Sequence, residues 1–396
     1  MRRWLDEASR SAGFSVVGVA QVGGPDDPAA AQQAARFSAW IDAGHAGQMD
    51  YLKRRDESGT LIRSSPRVAM PWARSAIVCA MNYNSAIPFV RSEDQLAQPQ
   101  RAVAPRSIDP APPGAGWIAR YAWTGRPLND GSTIIPTDYH DELLTRLRTI
   151  ETALLARATC TTRCYVDTGP LVERTLAAGA GIGWIGKNTC LINQQLGSWL
   201  LLAVLVTSLP VEERGEMSTA VLPPADRCGS CTRCIDACPT GALLGTKQIG
   251  GAREMDASRC IAYLTIEKKG AIDESLRAGM GRQVFGCDIC QDVCPWNREA
   301  PIGNYGGMQA RQELVNPALD WLATMDAKEF KRRFKGSPLE RTGRKRLLRN
   351  VAIAMGNSGE ERFLAPLDEW RTGEDAVLAD AAEWARSRIL SGQPAD

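Results

Sequence analysis

Eight of the twelve cysteines in this 396-residue chain fall in one stretch, at spacings that suit iron–sulfur chemistry. Residues 228–243 read CGSCTRCIDACPTGAL and residues 285–297 read FGCDICQDVCPWN. The first is a CxxCxxCxxxCP run, in which three thiolates hold one cubane and the fourth serves another cluster. Short steps wrap Cys228, Cys231 and Cys234 around one cluster, while the longer step into Pro239 turns Cys238 away. By the same logic Cys294, just before Pro295, returns to the first cluster. The second is then held by Cys238, Cys287 and Cys290, and Cys260 in SRCIAYLTIEKKG supplies its fourth ligand. CxxC pairs also bind zinc, but the ferredoxin-type order, the two prolines and the total of eight thiolates favour two 4Fe-4S clusters. Crossed ligands would place the clusters close together, as an electron relay requires. Cys79, Cys160, Cys164 and Cys190 read as small buried hydrophobes.

The elements that must position this segment fall into three stretches. Residues 1–225 read as an α/β domain, with strands expected at 14–20, 75–83, 164–170 and 198–210. Helices are expected at 29–43, behind Pro28, and at 138–156, with Asp138 as N-cap. The proline-rich residues 91–116 read as a long loop and 124–137 as an insertion. Residues 226–300 form the ferredoxin-like segment. Residues 301–396 give successive short amphipathic helices, which suggest a small HEAT-like solenoid.

Composition sets the outer limits. Hydrophobic residues make up 44% and charged residues 23%, with a net charge of +2, as in an ordinary soluble globular protein. The paired Arg2 and Arg3 resemble an export signal only superficially, since no long apolar segment or cleavage site follows. The longest apolar run, WLLLAVLV, has the length of a strand rather than of a membrane span. A cytoplasmic protein is expected, and in that reducing compartment closely spaced cysteines point to metal rather than disulfides.

A domain of over two hundred residues ahead of the cysteines is far more than a bare electron carrier needs, so it is the expected electron acceptor. Its most unusual stretch is VDTGPLVERTLAAGAGIGWIGKNTCLI at 166–192. Asp167 is expected at a strand end, followed by glycines that allow close backbone approach to a ligand and by the polar Lys187 and Asn188. A GxGxxG match at Gly181, Gly183 and Gly186 lacks the preceding strand and the later acidic residue of a dinucleotide site.

The sequence resembles the epoxyqueuosine reductase family, which completes the tRNA nucleoside queuosine. The resemblance is carried by RSSPRVAMPWARSAIV, ARYAW with DYHDEL, the 166–192 stretch, GSW, both cysteine runs, RCIAYLTIEKKG and RKRLLRNVAIAMGN. It implies a base-off cobalamin between the N-terminal domain and the cluster segment, reducing an epoxide to an alkene in the anticodon loop. His45 and His140 are the only histidines, and DYHDEL lacks the glycine of the DxHxxG signature of a histidine-ligated corrin. His140 stands open between a pocket role and a helix-start role.

The resemblance also assigns roles. Asp167 becomes the proton donor, expected to hold its proton in a poorly solvated pocket. Arg63, Arg120, Asp167, Lys187, Asn188, Leu191, Gly197 and Ser198 match positions near the corrin. Two departures stand out: Ala119 replaces a cysteine that some relatives carry before the arginine of RYAW, and residues 124–137 are inserted before DYH. The basic cluster at 331–349, above all Arg341, Arg344, Lys345, Arg346 and Arg349, is expected to contact tRNA phosphates. An external electron donor, no membrane and a monomer complete these expectations. A cobalamin-dependent dehalogenase and a non-catalytic two-cluster carrier are the competing readings.

Overall fold

The computed structural model describes residues 2–24, 26–85, 114–128, 133–211, 226–245, 253–303 and 307–392. Most of the 91–116 loop expectation lies outside the described residues. At the centre of the N-terminal domain is a four-stranded sheet in the order Val16–Gln21, Ser75–Asn82, Leu200–Thr207, Thr162–Tyr165, with every pairing antiparallel. Alternation along the Ser75–Asn82 strand explains its unbroken apolar run. Ile77, Cys79 and Met81 face one core, while Ala76, Val78 and Ala80 face the other. Both faces are covered, so a polar alternation would bury unpaired groups.

The first core is closed by the Tyr139–Leu155 helix, which lays Leu143, Leu147, Ile150 and Leu154 on the sheet at helical spacing. Its start is fixed by Asp138, whose side chain accepts the His140 backbone N–H, as expected for this N-cap. Pro28 opens the Pro28–Asp42 helix behind an Asp27 cap. The second core is closed by the short Glu173–Gly179 helix through Ala177.

One expectation needs correction. The strand expected at 164–170 is Thr162–Tyr165 and ends before Asp167. Asp167 lies in a turn with left-handed backbone, φ 54°, a conformation that aspartate tolerates better than branched residues do. Within the 124–137 insertion, Thr124–Pro127 and Ile134–Pro136 pair antiparallel, and Gln309–Ala310 joins as a third strand.

The C-terminal part is helical, as expected. The Gly343–Ser358 helix packs on Ala376–Leu390, with Leu364–Arg371 beside it. Besides the two cores on its own sheet, the first stretch shares a third core with the other two. One buried cluster joins Trp117 and Trp123 of the first stretch, Tyr263 and Phe285 of the cysteine segment, and Leu347 and Val351 of the tail. Gln283–Phe285 also pairs in parallel with Trp117–Ile118. Among the described residues, no helix is long and apolar enough to cross a membrane.

Candidate active site

Asp167 has half of its side chain open to solvent, with the rest packed among Tyr139, His140 and Glu173. Its left-handed turn is held by Glu173, whose Oε1 accepts the Asp167 N–H at 2.7 Å. The hydroxyl of Tyr139 donates to Asp167 Oδ2, and His140 Nε2 stands 3.4 Å from the same oxygen. Arg63 donates to the Leu171 carbonyl at 3.3 Å and lies over the Tyr51 ring. Arg174 donates to the Thr189 carbonyl.

The protonation pattern differs from the sequence expectation that Asp167 keeps its proton. Burial pushes its carboxyl up, but hydrogen bonds from His140, Tyr139 and Glu173 outweigh it and bring the pKa to about 2. Glu173 goes the other way: burial, the charge of Asp167 and their hydrogen bond raise it well above the usual carboxylate range. Two adjacent carboxyls cannot both ionise cheaply, so the proton settles on Glu173. His140 is raised against burial by hydrogen bonds to Asp138 and Asp167. Asp167 is thus the group held low, with Glu173 and His140 beside it both shifted upward.

Behind His140 stands Arg341 of the helical tail. It pairs with Asp138, and its Nη2 and Nη1 lie 2.7 and 3.1 Å from the two imidazole nitrogens. Neither histidine is idle, since His45 lies 3.7 Å from Asp256.

The cluster cysteines sort into the two crossed groups. The Cys234 thiol is pushed up to about 12 by burial and then by Cys294, Cys228 and Cys231, which are its neighbours. Burial likewise raises Cys287, with Cys260 and Cys238 as the thiols beside it. Cys290 adjoins Cys190, Cys287 and Cys260. Cys190, read from sequence as a core hydrophobe, thus lies against the second group through its contact with Cys290.

Several residues expected at the corrin tie the domain to the cluster segment. Lys187 Nζ donates to the Gly229 carbonyl at 2.7 Å, and Asn188 Nδ2 to the Cys290 carbonyl at 3.3 Å. Ser198 N donates to Asn297 Oδ1 and its Oγ to Gln291 Oε1. Arg120 is buried against Trp199, with its N–H on Asp288 and its guanidinium 3.4 Å from Asp292. Leu191 is core, and a Cβ at Gly197 would strike Asn297 Oδ1 at 2.3 Å.

Two expected tRNA contacts are corrected by their hydrogen bonds. Arg349 is 1% exposed and spends all its donors on the carbonyls of Leu264, Lys268 and Gly270 and on Asn350 Oδ1. Arg346 donates to the carbonyls of Ile266, Arg341 and Thr342. Arg344 bonds the Met325 carbonyl from a half-buried position, while Lys345 is 86% exposed beside Asp375. Tyr139 and Glu173 carried no sequence signal beyond their closeness to His140 and Asp167.

Comparison with known proteins agrees with this arrangement. The 4Fe-4S double cluster binding domain matches residues 227–297, and the family described as "Epoxyqueuosine reductase QueG, DUF1730" matches residues 63–168. An epoxyqueuosine reductase of Xanthomonas campestris pv. campestris is 35% identical over 95% of this chain and 93% of its own. The chain belongs to the epoxyqueuosine reductase family. Its activity is that of the family, the reduction of epoxyqueuosine to queuosine, and the dehalogenase and carrier readings fall away. Two solved epoxyqueuosine reductases have the same fold. One, crystallised with an epoxyqueuosine-modified tRNA-Tyr stem loop, is 28% identical with a TM-score of 0.75, over 98% of this chain and 89% of its own. The other, from Bacillus subtilis, is 27% identical with a TM-score of 0.75, over 98% and 90%. Its aspartate-bearing catalytic loop is swung out of the active site.

Proposed function

We propose that this enzyme reduces epoxyqueuosine in a tRNA anticodon loop, with base-off cobalamin beside Asp167 and electrons delivered through two 4Fe-4S clusters. The observation that carries the reading is the position of Asp167. It stands half open to solvent, and the same 166–192 stretch meets the cysteine segment, through Lys187 on the Gly229 carbonyl and through Asn188 and Cys190 at Cys290.

The residues fit such a cofactor. The exposed Tyr51 and Val172 offer apolar surface for a macrocycle, and Arg63 and Arg174 offer cationic donors for its amides and phosphate. Both histidines are engaged with carboxylates, so neither is among the residues that would hold it. When bound, cobalamin supplies the two electrons of the reduction. The iron ligands would be Cys228, Cys231, Cys234 and Cys294 for one cluster, and Cys238, Cys260, Cys287 and Cys290 for the other, fed by an external donor.

Converting an epoxide to an alkene and water consumes two electrons and two protons. Asp167 must take a proton before it can give one. His140 and Glu173, both in contact with it and both raised in pKa, serve as its sources. Tyr139 orients the carboxylate. The relative with a swung-out catalytic loop supports a mobile role for the Asp167 turn. The exposed Lys345 and the outer face of Arg341 and Arg344 suit RNA phosphates.

The test is to incubate anaerobically reconstituted protein, cobalamin and reductant with an epoxyqueuosine-bearing stem loop and weigh the nucleosides. Loss of one oxygen atom that depends on cobalamin is expected. Product formation without cobalamin would refute the cofactor assignment.

A further inference from the structure

Trp184 is buried, at 4% exposure, and among the described residues its indole Nε1–H has no hydrogen-bond partner. Indole has a single donor and no acceptor, so no other part of the side chain can compensate. Leaving a buried donor unpaired costs about 1–3 kcal/mol, and native structures seldom accept that without an acceptor the polypeptide itself does not supply. Trp184 packs with Ile192 and Cys294, and Cys228 and Trp296 lie against the same cluster. The Trp296 ring meets it edge-on, 5.0 Å between centroids at 79°. The backbone fixes this position. Trp184–Ile185 pairs with Leu191–Ile192, and a Cβ at Gly183 would strike the Ile192 carbonyl oxygen at 2.2 Å, so the strand sits as close as glycine permits.

Cys228 and Cys294 are two of the four thiolates assigned above to the first cluster, and this inference rests on that assignment. We propose that the Trp184 indole N–H donates a hydrogen bond to a sulfur of the first cluster and so holds that cluster's reduction potential up. A donor on a cluster sulfur stabilises the more negative, reduced form more than the oxidised form. No covalent step is involved, and Trp184 is a tuning residue acting through the cluster. The nearby Trp296 supplies the wall that keeps water from taking the same bond.

The experiment uses the full chain with its clusters loaded, followed by electron paramagnetic resonance during redox titration, with and without added cobalamin. Iron analysis comes first: eight irons per wild-type chain support the ligand assignment, and fewer would overturn that assignment rather than the role of Trp184. Trp184→Phe should then lower the midpoint potential of one cluster by about tenfold in electron affinity, roughly 59 mV for one electron, and leave the other cluster unmoved. Trp296→Phe should leave the donor in place and shift the potential less. An unchanged potential in Trp184→Phe overturns the proposal, and so does a shift seen only with cobalamin present, which would place the donor on the cofactor. Should Trp184→Phe fail to hold iron, wild-type protein labelled with ¹⁵N-indole decides the matter. Pulsed spectra of the reduced cluster should then show a ¹⁵N coupling, which Trp296→Phe retains, and its absence overturns the proposal.

Discussion

Replacing Arg349 with Met should destabilise the protein and leave the salt dependence of tRNA binding unchanged. The side chain lies inside the Gly343–Ser358 helix contact with the cysteine segment and bonds the carbonyls of Leu264, Lys268 and Gly270 and Asn350 Oδ1. Methionine keeps much of the stem but none of the donors. Bonds from a charged donor contribute about 1.5–3 kcal/mol each and are not additive, and removing one side of a buried charged network costs about 3–5 kcal/mol. Lys268 and Gly270 lie near solvent, where water can replace part of the loss, so the lower figure is expected. At about 2–4 °C per kcal/mol, apparent Tm should fall by about 6–12 °C in scans at fixed rate with clusters intact. Binding of a tRNA stem loop at several salt concentrations completes the assay. A variant of unchanged Tm whose salt slope falls by about one would show that Arg349 meets phosphate after all.

Other outcomes follow from the same geometry. Asp167→Asn should slow single-turnover reduction roughly 100-fold or more with stem-loop affinity retained; undiminished turnover would remove it from the chemistry. Turnover should decline as pH rises through the raised pKa of His140, because the protonated imidazole is lost, and His140→Gln should flatten that limb. The stability His140 contributes is fully present below about 6.5 and is lost over the same rise, which thermal scans across pH would show. Cys294→Ser and Cys260→Ser should each disrupt a different cluster, read as distinct losses in iron content and in the spectrum of the reduced protein. Arg341→Gln and Lys345→Gln should each lower the salt slope of stem-loop binding by about one, and an unchanged slope would exclude phosphate contact.

What the sequence determined by itself was whatever local spacing encodes. The cysteine runs announced a double 4Fe-4S cluster domain, because their short fixed spacings need no distant contact to be read. Asp138 as a helix cap and the alternating faces of the Ser75–Asn82 strand were legible for the same reason. Tertiary structure decided the rest. Charge on Arg346 and Arg349 reads as a phosphate site in one dimension, yet the fold turns both onto carbonyls of residues some eighty positions away. Asp167 was recognisable, but its protonation was not, because Tyr139, His140 and Glu173 meet it only after the Tyr139–Leu155 helix is laid on the sheet. A pKa is a sum over neighbours in space, and the chain fixes those neighbours only by folding.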